Sequence, residues 1–108
     1  MSDLPEKDWK LLRRLQPVLL DRFCEKVLRE AVEIARSPDG TNHERYLKLY
    51  RFIREQDRDM ATAFDDYRRS TARVKINNLY ALGLMTEAEL AGFSDEIRAM
   101  VLLLNSSI

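Results

Sequence analysis

From Asn42 to Leu82 the chain contains no proline and no glycine, and only Gly83 ends the run. Proline and glycine are what ordinarily divide a helical protein into short pieces, so their absence predicts one long helix. The apolar spacing agrees with that reading. Tyr46, Tyr50, Ile53, Asp57, Met60, Phe64, Tyr67, Thr71, Val74, Asn78 and Ala81 step by four and three throughout, which is the spacing of a coiled-coil seam. Leu49, Phe52, Ala63 and Leu82 widen the apolar face. A straight helix of this length would reach ~60 Å, whereas a compact chain of this size has a radius of gyration of ~13 Å. Either the helix bends, at Gln56–Asp59 or at Ser70-Thr71, or a second copy of the chain covers the overhang. With no breaker inside the stretch, the unbroken period favours the second copy.

The flanking segments read as shorter helices packed on this one. Asp3-Leu4-Pro5-Glu6 is a helix start, with a capping aspartate, proline in the first turn and an acid near the positive end of the dipole. It predicts a short helix at about 4–15, with Trp9, Leu12 and Leu15 or Gln16 on one side. Pro17 lacks a backbone donor and crowds the preceding turn, so it is expected to open a second helix over 17–36. There Leu20, Cys24, Val27, Ala31 and Ile34 repeat every three to four residues, largely opposite Asp21, Arg22, Lys26, Arg29 and Glu33. Ser37-Pro38-Asp39-Gly40-Thr41 is a loop by composition and makes this helix the antiparallel neighbour of the long one. Gly83 suits the left-handed position that ends a helix, and Thr86 with Glu89 forms a capping box. These start a last helix over 87–104, with Leu90, Phe93, Ile97, Met100 or Val101, and Leu104 on its buried stripe and a weak point at Gly92 and Ser94. The expectation is a single all-α domain over 1–108, a four-helix arrangement built on one long central helix at about 42–83.

Formal net charge is zero, which argues against a general nucleic-acid coat or a polybasic membrane binder. The charge is unevenly placed, however. Residues 42–83 carry nine Lys/Arg against six Asp/Glu, and residues 84–108 carry one against four. A basic long helix and an acidic last helix are natural packing partners. The single Cys24 leaves no intramolecular disulfide and no cysteine-based zinc site. There is no basic-then-apolar secretory signal at the start, and no apolar run approaches the ~20 residues that span a bilayer. A cytoplasmic protein without membrane contact is expected.

No catalytic, metal or nucleotide motif stands out, and neither enzyme activity nor a cofactor is expected. His43 is the only histidine, and a bundle metal site needs Glu-x-x-His pairs on two helices. The carboxylates Glu55, Asp57, Asp59, Asp65 and Asp66 alternate with arginines, as on a solvated face. Cys24 on an apolar stripe reads as a small core hydrophobe. Arg68, Arg69, Arg73 and Lys75 form the densest basic cluster, and with Tyr67 and Tyr80 nearby they are the candidates for a nucleic-acid contact. The polar seam positions Asp57, Thr71 and Asn78, with a tyrosine, are the candidates for a small-ligand pocket.

The surface that the sequence singles out is apolar. Tyr46, Tyr50 and Tyr67 share one seam with Ile53, Met60 and Phe64, and tyrosine hydroxyls need a wet edge or a partner. Met100–Leu104 is apolar nearly all round, so Leu103 and Leu104 should have company. The expected function is protein–protein interaction by a scaffold or regulatory module, self-associating as a homodimer through the long helix. Asp57 would then fix the register of the seam. A nucleic-acid-associated regulator and a ligand-binding bundle are the competing readings.

Overall fold

The computed structural model describes residues 4–106. Five helices follow in order: α1 (Glu6–Arg36), α2 (Asn42–Phe64), α3 (Ala72–Ala81), α4 (Glu87–Leu90) and α5 (Asp95–Leu104). No strand occurs among the described residues. The all-α class is as the composition and period imply. The longest helix is the first one, however, and the two expected long boundaries both move.

Pro17 lies inside α1 rather than between two helices. Its cost in a helix interior is ~3 kcal/mol, and it is exposed, on the side away from the core. On the opposite side Leu12, Leu19 and Phe23 are buried along one continuous helical face. Three such side chains contribute ~1.5–3 kcal/mol each, which outweighs one lost hydrogen bond. The separate helices expected at 4–15 and 17–36 are therefore one. The expected cap at Asp3 lies outside the described residues.

The long helix expected over 42–83 ends at Phe64 and resumes at Ala72. Asp65 is extended and Asp66 takes a positive φ of 60°. Aspartate is one of the few residues whose short polar side chain tolerates that region. Thr71 Oγ1 then donates toward the carbonyl of Asp66 at 2.9 Å and accepts from the Arg68 amide at 3.3 Å, while Arg68 pairs with Asp66 at 2.7 Å. The turn is thus built from local side-chain bonds that compete with helix. Folding back places Ala72, Ile76 and Leu79 in the core, which an unbroken helix would hold in solvent.

At the other junctions Gly83 and the Thr86–Glu89 box act as read, and Thr41, expected only as a loop residue, makes a second box. Thr41 caps α2, in a capping box with Glu44, and Thr86 caps α4 in the same way with Glu89. Gly83 has φ 75°. The last helix, expected over 87–104, is interrupted at Gly92–Ser94. A Cβ at Gly92 would lie 3.0 Å from Leu11 Cδ2 and 3.3 Å from the Glu89 carbonyl, so glycine permits the close approach of this corner to α1. There Asp8 of α1 accepts from the Ser94 amide at 2.8 Å and from its hydroxyl at 2.6 Å.

These turns sort the chain into two regions. Every buried hydrophobic falls within 4–23 or 63–101. The first half of α1, the end of α2 and α3–α5 therefore make a closed head. Residues 24–62 contain no buried residue at all. They form an antiparallel helical hairpin, the arm, that extends away from the head. The overall extents are 53 × 30 × 21 Å and the radius of gyration is 16.8 Å, against ~13 Å for a compact chain of this length.

Candidate interaction surface

The arm is joined along a seam of Val27, Ala31 and Ile34 on α1 with Leu49, Phe52 and Gln56 on α2, all half-buried. At its tip the Arg45 guanidinium donates to the carbonyl of Ala35, holding the two helices together beside the loop. At its base Phe23 and Phe64 meet edge to face, with ring centroids 5.9 Å apart.

Each helix continues its apolar arc beyond this seam. On α1 the arc turns from Val27 and Ile34 through Ala31 and Cys24 to Leu28. On α2 it turns from Phe52 and Leu49 through Ile53 to Tyr46 and Tyr50. Both turn in the same angular sense at ~100° per residue, and in an antiparallel pair that sense carries both arcs to the same side. The result is one apolar face of the hairpin, on which Leu28 is 66%, Tyr46 63% and Tyr50 51% exposed. Arg54 lies over the Tyr50 ring, 5.6 Å from its centroid.

On the opposite side, at the base where the hairpin leaves the head, Arg22 and Lys26 on successive turns of α1 make polar contacts, and the second of them joins arm to head. Arg22 donates to Glu89 at 2.5 and 2.9 Å and to the Leu84 carbonyl at 2.9 Å, and Lys26 donates to the Leu82 carbonyl at 3.1 Å. The Arg22 hydrogen bonds, with those from the Thr86 amide, hold the Glu89 carboxyl below the ordinary glutamate range.

The expected site residues separate accordingly. Tyr46, Tyr50, Ile53 and Asp57 are exposed along the arm. Met60 is half-buried against the core, and Phe64 is buried in it. Phe64 is therefore not part of an accessible surface, because the turn at Asp65–Thr71 folds the head over it. Tyr67 is half-buried beyond the turn, and its hydroxyl has no hydrogen-bond partner among the described residues. Burial pushes that phenol up to about 12. Leu103 and Leu104 are exposed on α5, at the far end of the chain from the arm, near exposed Leu102. Cys24, expected in the core, is only half-buried, because the core ends at Phe23.

The basic cluster is spread over the head. Arg68 pairs with Asp66, Arg69 with Glu6 at 2.8 Å and Arg73 with Glu96 at 2.8 Å, while Lys75 donates to the Thr62 carbonyl. Of the acids expected to meet it, only Glu96 does so. Glu89 goes to Arg22, Asp95 to Arg98 and Glu87 to the Tyr80 hydroxyl. Nor do Asp57, Thr71 and Asn78 line one pocket. The cleft beside Asn78 is formed with Asp59, Thr62, Ala63, Ala81 and Leu82. His43 is exposed in the first turn of α2, and among the described residues no three His, Cys, Asp or Glu side chains converge as a metal site would require. No helix of the described residues is long and apolar enough to cross a membrane.

Two features of the surface escape a residue-by-residue reading of the sequence. Leu28 and Val32 look like the edge of a buried stripe, yet both are exposed, since the head stops short of them. The signal was present in the width of the arc on α1, which is broader than one neighbouring helix can cover. Comparison with protein-family models, with curated proteins and with solved structures found no match.

Proposed function

We propose that the chain is a non-catalytic helical module that acts by protein–protein contact, with the arm as its docking element and the head as its anchor. One observation supports this above the others. A 39-residue hairpin, 24–62, buries none of its side chains fully and leaves Leu28, Tyr46, Tyr50 and Ile53 on one face. A two-helix hairpin leaves its outer apolar arcs in water unless a further surface covers them. The head meanwhile holds the closed core and ties Arg22 to Glu89, Arg69 to Glu6 and Arg73 to Glu96, with Leu102–Leu104 as a separate exposed group on α5.

Site-specific photo-crosslinking in cells tests the reading. A photoreactive amino acid placed at Tyr50 or at Leu28 should give discrete protein adducts, and one placed at exposed Lys7 on the head should not. Adducts absent from both arm positions would overturn it.

A further inference from the structure

We propose that the occupant of the arm's apolar face is a second copy of the same chain, stacked face to face and antiparallel, so that the two arms complete a four-helix bundle. This rests on the reading of the arm as a docking element and names its partner. The size of the face fits. The open part of α2, 42–62, is ~30 Å long and two packed helices are ~20 Å across, so each copy offers ~600 Å². A standard-sized interface takes ~600–1,000 Å² from each partner. The open ridge sets the overlap, because a dyad beside Ile53 lets the exposed stretch from Tyr46 to Ala61 of one copy run along the same stretch of the other.

The polar residues of the face choose the direction. Asp57 is the one acid on the ridge that holds Tyr46, Tyr50 and Ile53, and Arg54 lies on the Tyr50 ring one turn before it. A parallel stack, with its dyad along the arm, would lay α2 of each copy on α1 of the other and leave Asp57 away from the partner's Tyr50. An antiparallel stack with its dyad between Ile53 and Arg54 places each Asp57 opposite the partner's Tyr50, whose hydroxyl can donate to it, and within reach of the partner's Arg54. Other charges of α2 lie away from this face: Lys48 and Arg51 line the cleft with Ile34 and Asp39, and Asp59 lines the one with Lys26 and Leu82. The pairing of Asp57 with the partner's Tyr50 and Arg54 occurs twice across the dyad, which is self-complementary in the sense a two-fold interface requires. On α1 the same dyad passes near Leu28, the most exposed apolar residue of the arm. The heads then lie at opposite ends of the bundle.

Sedimentation of the purified full chain over a wide concentration range, with crosslinking, tests this. The expected result is a reversible monomer–dimer equilibrium. Leu28→Arg and Ile53→Arg, both at exposed positions, should each raise the dimer dissociation constant about a hundredfold or more with unchanged helical content. On a Cys24→Ser background, Tyr50→Cys and Asp57→Cys chains should be joined by a short bis-maleimide when mixed and not when separate. A monomer at every concentration, or crosslinking of like positions in place of mixed ones, would overturn the proposal. Heterologous adducts from Tyr50 in cells, alongside a monomeric pure protein, would remove the second copy and leave the docking arm standing.

Discussion

A carboxylate with no solvent exposure, such as that of Asp8, is costly unless its oxygens are hydrogen-bonded. Here one oxygen accepts from the amide of Ser94 and the other from its hydroxyl, at the positive end of α5. The Ser94 side chain does not cap its own helix, so Asp8 supplies the cap from another element. Asp8→Ala should therefore lower unfolding free energy in urea by ~2 kcal/mol, the cost of a buried donor left without its acceptor. Exposed Asp21→Ala should stay within ~0.5 kcal/mol. Equal effects of the two would show that the contact contributes nothing. Nothing in the sequence near Asp8 announces this role. It reads as one more acid in a first helical turn, and its partner lies 86 residues away.

Glu89 combines a role that is legible in the sequence with one that is not. The Thr86-x-x-Glu89 spacing marks the capping box, but Arg22 comes from α1 and no local pattern points to it. Because the folded carboxyl titrates below its ordinary range, its contribution to stability is fully present above the unfolded value of ~4.3. That contribution is lost as pH falls through the lower, folded value. Stability of the native chain should thus drop more steeply below pH ~4 than that of Glu89→Gln, which has already lost the charge. Parallel acid-unfolding curves for the two would contradict this assignment.

At the scale of elements, the instructive case is the pair of breaks. Pro17 looked like a boundary and is not one, whereas 65–71 carries no breaker and is one. In both places burial decided. Leu12, Leu19 and Phe23 hold α1 straight through a proline, and Ile76 and Leu79 reach the core only if the chain turns after Phe64. Local propensity is worth ~1 kcal/mol per residue or less apart from proline, so a few buried side chains override it. Capping signals fared better because they are local by nature: Gly83 and Thr86 do in the fold what their spacing implied. The apolar seam of the long segment was legible as a pattern, but its division into a covered part, Met60 and Phe64, and an open part, Tyr46 to Asp57, depends on where the head sits. That position is set by contacts such as Arg22–Glu89, which no period records. If Pro17 is merely tolerated, Pro17→Ala should restore the missing backbone bond and raise stability by ~1–2 kcal/mol after allowing for the looser unfolded chain. A loss of stability would mean that a bend at Pro17 is needed to seat Leu12 and Leu19 together.

For the whole molecule, elongation and self-pairing are two sides of one arrangement. A radius of gyration of 16.8 Å reflects the hairpin that leaves the head, and this is the surface assigned to the second copy. If dimerisation covers it, the melting temperature should climb with protein concentration, by mass action. In Ile53→Arg it should be independent of concentration. A concentration-independent melt in the unmodified chain would count against the dimer at every concentration sampled.

The head also imposes an order of events during synthesis. Its closing contacts join the two ends of the polypeptide: Asp8 to Ser94, Arg22 to Glu89, and Leu4 to Arg69. The arm needs only neighbours across the loop at 37–41. A growing chain therefore has both helices of the hairpin available once residue 64 has emerged, while the first turns of α1 must wait unshielded until the residues of α5 emerge. Limited proteolysis of ribosome-bound chains stalled before and after α5 would show this as late protection of Leu12 and Leu19 relative to the hairpin loop. A nascent partner on the same message would accordingly meet both helices of the arm before the head has closed.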